Sequence, residues 1–198
     1  MYKVMFPLSQ TSADSLTGSL LVASPALADS PFARTVIYLC AHVPGEGAMG
    51  LIVNRRLSQP GLDDVLERLG IDPVPPRRRI ALCAGGPVDG GRGFVLHSSD
   101  WIGDSSLSVD NGTTLTASLD VLREIADGAG PRNALLALGH ASWCDDQLED
   151  EIIRHNAWLP APPSDEILFG LDHGAKWRQA LATINIDPMH LTHQTGRA

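Results

Sequence analysis

Apolar residues recur at two different spacings along this chain, and the switches between them predict its elements. Leu62, Val65, Leu66 and Leu69 fall at i, i+3, i+4, i+7, so they share one face of a helix over Leu62–Leu69. Asp63 and Asp64 occupy its first turn, where the helix dipole favours negative charge, and Gly70 supplies a stop. A second helix is predicted over Leu119–Asp127, between Ser118 as N-cap and Gly128. A third runs over Gln147–His155, with Asp146 and Glu149 at capping-box spacing and Leu148 and Ile152 facing inward. A fourth covers Ala175–Ile184, with Trp177, Ala180, Leu181 and Ile184 on one stripe.

The remaining apolar runs are short and read as strands: Leu20–Ala23, Thr35–Ala41, Met49–Val53, Ile80–Cys83, Gly93–His97, Ser106–Val109, Thr113–Thr116, Ala134–Leu138 and Glu166–Phe169. Thr35–Ala41 and Ala134–Leu138 are nearly continuous in apolar residues, which predicts cover on both faces, because a strand with one wet face would alternate. Asp110-Asn111-Gly112 between two strands is a hairpin signal, since Asn-Gly tolerates the positive φ of a tight turn. The order lacks the regular strand–helix alternation of a doubly wound fold. It predicts an α+β fold with a mixed, largely antiparallel sheet of about eight to nine strands and about four packed helices.

The chain has 198 residues, which suits one domain with a real core over residues 16–198; residues 1–15 read as a flexible polar extension. The net charge of −8 repels phosphate backbones and disfavours direct nucleic-acid binding. No stretch approaches the ~20 apolar residues of a membrane span, and the N-terminus does not read as a secretory signal. Three widely spaced cysteines give no disulfide framework; Cys40 and Cys83 lie in apolar surroundings and Cys144 in a turn, which fits reduced thiols in the cytoplasm.

Candidate chemistry is confined to a few stretches. Gly45-Glu46-Gly47-Ala48-Met49-Gly50 has the spacing of a dinucleotide fingerprint, but a strand follows it where a helix N-terminus is needed, so a hairpin turn is expected. Gly85-Gly86-Pro87 and Gly90-Gly91-Arg92-Gly93 form a glycine-rich stretch. The plain reading is loops that bend the backbone; the functional one is a concavity of backbone N–H groups beside Arg92, suited to an anion. Gly139-His140-Ala141-Ser142-Trp143-Cys144 sits at a strand–turn–helix junction. Ser142 lacks the flanking glycines of a nucleophile elbow, so a hydrolase using Ser142 or Cys144 stands as an alternative only. Cys40, His42, His97, His140 and Cys144 show no paired metal-ligand spacing, and no metal or other cofactor is expected. The run Glu149-Asp150-Glu151 reads as the wet face of its helix, and the tryptophans of the C-terminal half as core, with Trp158 locking the third helix onto the sheet.

Several of these stretches, in order, carry a family resemblance. They are Leu20-Leu21-Val22-Ala23-Ser24-Pro25, Gly47-Ala48-Met49-Gly50-Leu51-Ile52-Val53-Asn54, Gly85-Gly86-Pro87-Val88, Arg92-Gly93-Phe94-Val95-Leu96-His97, Leu138-Gly139-His140-Ala141-Ser142-Trp143 and Asn156-Ala157-Trp158-Leu159. Together they resemble the bacterial YqgE/AlgH family over residues 16–198, with Ser142 where the family commonly has Gly and Arg197 where it commonly has His. The resemblance implies a compact α+β fold, a bacterial source and a cytoplasmic location. It also brings the label of a transcriptional regulator, with no agreed catalytic residues. Because the chain is acidic and lacks a helix-turn-helix signature, regulation is expected to be indirect, with a direct DNA-binding regulator, suggested by Arg77-Arg78-Arg79, as a further alternative. The expected function is binding of a protein partner or a small anionic ligand. The expected site is a polar pocket formed where the loops near positions 47–54, 85–97 and 139–143 converge. Its candidate residues are Met49, Gly50, Asn54, Gly85, Gly86, Arg92, Gly93, His97, His140, Ser142 and Trp143.

Overall fold

A computed structural model describes residues 15–191. The expected flexible extension thus falls, but for Ser15, outside the described residues, as does the chain beyond Leu191. The described chain forms nine strands and five helices: β1 (Leu20–Ala23), β2 (Val36–Val43), β3 (Gly47–Ile52), α1 (Leu62–Arg68), β4 (Ala81–Ala84), β5 (Val88–Ser98), β6 (Ser106–Ser108), β7 (Thr113–Thr116), α2 (Asp120–Ala126), β8 (Ala134–Trp143), α3 (Gln147–Ile153), β9 (Trp158–Ala161), α4 (Asp165–Phe169) and α5 (Lys176–Thr183). Short 3-10 turns at Pro25–Leu27 and Pro188–His190 complete it. The strands make one curled sheet in the order β6-β7-β5-β8-β3-β2-β1-β9, with β4 added to β8. Only β4 and β8 pair in parallel, Leu82 opposite Leu136; the other pairings are antiparallel, so the sheet is mixed and largely antiparallel as the element order implied.

β8 is the organising strand. Its first half lies between β4 and β5, and its last three residues pair with β3, Met49 opposite Ser142 and Gly50 opposite Ala141. Three apolar clusters cover the sheet. α4 and α5 pack with Tyr38, Leu51 and Leu96; α3 packs with Ile37, Ala48 and Trp143; α1 and α2 pack with Val95 and Leu136. β1 and the first five residues of β2 are fully buried, in keeping with their unbroken apolar runs. The Asn-Gly hairpin forms between β6 and β7, with Gly112 N–H donating to Asp110 Oδ1 at 2.8 Å. Among the described residues no helix is long and apolar enough to cross a membrane.

Several elements differ from the sequence reading. β8 runs on to Trp143, so residues 139–143, read as a turn, are strand, the last three paired with β3, and β5 begins at Val88, inside the stretch read as glycine-rich loops. Glu166–Phe169, expected as a strand, is part of helix α4: Ser164 Oγ accepts from Ile167 N–H at 3.3 Å, and Asp165 and Glu166 fill the first turn. A four-residue apolar run has no readable period, so the cap decides. The ninth strand is instead β9, which pairs only with β1 and contains Pro160. Proline lacks the N–H a central strand must donate and is accommodated at this edge. Helix starts also shift. α2 begins after Leu119 without a side-chain cap from Ser118, and Asp146, in the left-handed region at φ 57°, places no capping bond on α3.

Candidate functional site

The sequence-predicted stretches meet on the middle of β8. Gly85 N–H donates to Leu138 O at 2.7 Å, and Gly85 O accepts from Ile52 N–H at 2.8 Å, so the Gly85-Gly86-Pro87 turn joins β3 to β8. The contact is backbone on backbone. Gly139 has φ +71°, and a Cβ there would stand 2.6 Å from Gly86 O and 2.9 Å from Val88 O. Only glycine allows both that conformation and that approach. A Cβ on Gly50 would lie 2.6 Å from Ile37 Cγ2, so this glycine serves the packing of β2 on β3.

From this junction the candidate side chains diverge. Asn54 ties the chain to itself, its Oδ1 accepting from Val36 N–H and its Nδ2 donating to Arg34 O, both at 2.9 Å. His97 is fully buried, with Nδ1 2.9 Å from Ser98 O and Nε2 2.8 Å from Thr116 Oγ1. Burial holds its imidazole below the ordinary value, against the Ser98 carbonyl and Asp100. Met49 is half-buried against the core, and Gly93 pairs with Leu138 just past the β5 bulge. Arg92 lies over the Phe94 ring, its guanidinium carbon 5.0 Å from the centroid, and Phe94 meets His140 edge-on at 5.6 Å. His140 is pushed down by burial, with Asp89 opposing and Arg92 assisting, and its Nδ1 has no partner among the described residues.

Pro87, Ser142 and Trp143 do line one cleft, of about 380 Å³, with the Ala26–Phe32 segment, α3 and Trp158 as its other walls. That size suits a small ligand or a single side chain. Phe32, Trp158 and Trp143 stand edge-to-face in series, with centroids 5.7 and 5.8 Å apart. Glu151 completes the cleft. Its Oε2 accepts both indole N–H groups, from Trp143 at 3.0 Å and Trp158 at 2.7 Å, while Oε1 accepts from Gln147 Nε2 at 2.8 Å. Glu151 forms no ion pair among the described residues. Asp150 beside it pairs with Arg154 at 2.9 Å and His155 at 3.1 Å.

Reading 149–151 as a uniformly wet face thus needs correction, since only Asp150 fits it. Glu149 turns inward to His42 Nε2 and Gly45 N–H, both at 3.1 Å. Burial pushes its carboxyl up, but the amide hydrogen bonds and His42 outweigh this and hold it below the usual range. His42 Nδ1 accepts from Leu16 N–H at 2.8 Å, so the proton sits on Nε2 and points at Glu149. Phe32, Gln147 and Glu151 were not among the sequence candidates. The available signal was the indole pair, since two buried tryptophans flanking a helix each need an acceptor, and Glu151 is the carboxylate within reach of both. Trp158 does fasten α3 to the sheet, through this bond.

Other sequence features are absorbed by the fold. Gly45 and Gly47 occupy the β2–β3 turn at φ +77° and +133°, as a hairpin requires, with no helix after them. Arg79 pairs with Asp63 of α1 at 2.7 Å and Arg78 donates to Ala129 O, just beyond α2, at 3.0 Å, while Arg77 and Arg79 stay exposed. Cys40 and Cys83 are buried and Cys144 is exposed. Neither Ser142 nor Cys144 is hydrogen-bonded to a histidine among the described residues, and no three His, Cys, Asp or Glu side chains there gather to hold a metal ion.

Comparison with known proteins agrees with this architecture. A family model described as AlgH-like matches residues 20–189. A UPF0301 protein of Gluconobacter oxydans is 65% identical over 183 residues, covering 92% of this chain and 98% of that one, and one of Afipia carboxidovorans is 48% identical over 191 residues, covering 92% and 90%. The solution structure of the AlgH protein from Pseudomonas aeruginosa superposes with a TM-score of 0.75 at 41% identity, over 96% of this chain and all of that one. A crystal structure of a Corynebacterium diphtheriae protein, at 22% identity and TM-score 0.68 over 92% of each chain, shares the fold. With its nine-stranded curled sheet and these matches over nearly its whole length, the chain belongs to the AlgH-like UPF0301 family.

Proposed function

We propose that this protein is a cytoplasmic regulatory module that acts by binding, and that the cleft between Phe32, β8 and α3 is where it binds. The observation that carries the reading is Glu151, a carboxylate held at an aromatic-walled cleft by two indoles and an amide, with no cation to balance it among the described residues. Three neutral hydrogen bonds fix this half-buried carboxylate in place without neutralising it, so a cation that reaches the cleft gains from it. The rigid β8–α3 frame and the few converging polar groups are what a binding site needs. Regulation through such a site is indirect, because an acidic surface does not read DNA.

The test uses the protein's own reporters. In the 15N-labelled chain, the indole N–H resonances of Trp143 and Trp158 report the cleft, while that of Trp101, which packs against His97, reports a distant region. Titration with a panel of cationic, anionic and neutral probes is expected to move the first two and spare Trp101. Ser142→Trp, which fills the cleft from its rim, is expected to abolish the shifts. A panel with no member that moves Trp143 and Trp158, or shifts unchanged in Ser142→Trp, would overturn the reading.

A further inference from the structure

We infer that the occupant of this cleft is a basic segment of a partner protein, one lysine or arginine of which enters the cleft with its head toward Glu151. The inference rests on the binding role proposed above and names the chemistry of what is bound. Three observations point the same way. First, the donors that hydrogen-bond Glu151 are all neutral, and Arg154 and His155, the latter on the cleft wall, are paired with Asp150. Second, lysine and arginine carry an apolar stem below a cationic head, which matches walls made by Phe32, Trp143 and Pro87 above a carboxylate. A cation beside aromatic rings gains further from their quadrupoles.

Third, the cleft does not end at Gln147. The same residue borders a second depression, of about 570 Å³, lined by Asp145, Asp146, Glu149, Asp150 and Ile153, with Arg154, paired to Asp150, its one cation. Asp145 and Asp146 are exposed, and Ile153 is 75% exposed. An extended segment leaving the cleft over Gln147 would meet carboxylates and then an apolar side chain. A free amine in the cleft would use none of that track. Charge complementarity of this kind speeds encounter and rejects acidic partners. It also conflicts with a small anion as occupant of this cleft, which Glu151 would repel.

The experiment titrates the full-length 15N-labelled protein with four probes: a short peptide rich in lysine and arginine, a matched peptide rich in aspartate and glutamate, spermidine, and inorganic phosphate. The basic peptide is expected to shift the Trp143 and Trp158 indoles and the backbone of Asp145 and Asp146, and to bind more tightly than spermidine by roughly tenfold or more. Glu151→Gln keeps the shape and an acceptor oxygen, and is expected to weaken the peptide roughly tenfold. Asp145→Asn with Asp146→Asn, which leaves the cleft intact and suits the left-handed backbone at 146, is expected to weaken it roughly threefold and carries the test should Glu151→Gln fail to fold.

Spermidine binding as tightly as the peptide would overturn the protein segment in favour of a small amine. Phosphate or the acidic peptide shifting the indoles while the basic peptide does not would overturn the inference and leave the cleft's binding role standing. Unchanged affinity in Glu151→Gln, or in the double aspartate variant, would also overturn it. Silence from every probe, including the wider panel above, would overturn the binding role itself.

Discussion

The two ends of the sheet treat buried polar groups in opposite ways. At the β5–β7 end, His97 is fully buried and both ring nitrogens have partners; Thr116 Oγ1 passes the chain on to Ser106 Oγ at 2.7 Å, and Trp101 closes the ring edge-on at 5.5 Å. At the α3 end, Glu151 also has every oxygen hydrogen-bonded, yet its partners are neutral and its surroundings open onto a cleft. Hydrogen-bond satisfaction alone does not separate structure from site. The difference is charge: a neutral imidazole with two partners is complete, whereas a carboxylate with three neutral donors still lacks a counter-ion.

Breaking the closed end should cost most. His97→Ala removes a fully buried ring and one of the two partners of Thr116 Oγ1, and is expected to lower the unfolding free energy by about 3–4 kcal/mol in urea titration, with no change in peptide binding. Any loss of binding there would mean the two ends are coupled. Trp158→Phe deletes one indole donor and some packing at the open end, with an expected loss of about 2–3 kcal/mol. A smaller loss in the Glu151→Gln background would place the hydrogen bond, and not the volume, at the root of that cost.

Lys176 supplies a third case, a cation held by two backbone carbonyls inside the core. Its Nζ donates to Leu168 O at 2.9 Å and Val53 O at 3.1 Å, and it is 1% exposed. Burial depresses its pKa from 10.5 to about 8, against Cys83 and Glu166. The unfolded chain therefore holds the proton to higher pH than the folded one, so this group's contribution to stability rises with pH from about 8 upward. Cys83, pushed up to about 11 by burial, acts in the opposite sense once free thiols ionise. Between pH ~8 and ~9 the native chain is expected to gain about 1 kcal/mol relative to Lys176→Met, in denaturant titrations at each pH. A flat difference would mean that the amine keeps its proton in the fold. The smallest effect belongs to the exposed Arg79–Asp63 pair, where Arg79→Ala should change stability by no more than about 0.5 kcal/mol, with salt removing what there is.

Most of the fold was legible because its signals are local. The helix over 62–69 shows a full i, i+3, i+4, i+7 face, and the β6–β7 hairpin is written in Asp110-Asn111-Gly112. Among the elements misread, α4 and β9 are too short to show a period, and a Ser164 cap and an edge position for Pro160 decide; the second half of β8 was read as a turn because Gly139 punctuates it, and pairing with β3 carries the strand on. The candidate site was legible only in part. Glycines at 85 and 86 were read as a bend or an anion-binding concavity; the structure uses them, with Gly139, for close backbone approach. Which polar side chains face a common space was hidden. His97 and Ser142 lie in similar glycine-rich, strand-end contexts, yet one is sealed inside and the other stands at the cleft.

By itself the sequence determined an α+β domain with an apolar-buried β2 and first half of β8, an acidic net charge and glycines at the β2–β3 turn. The tertiary structure alone decided that Glu151 leaves the wet face of α3 to serve two tryptophans fifteen residues apart in sequence, at 143 and 158. The reason is physical: an indole N–H excluded from water must find an acceptor wherever packing brings one, and packing is set by contacts between strands and helices that no local window of residues contains.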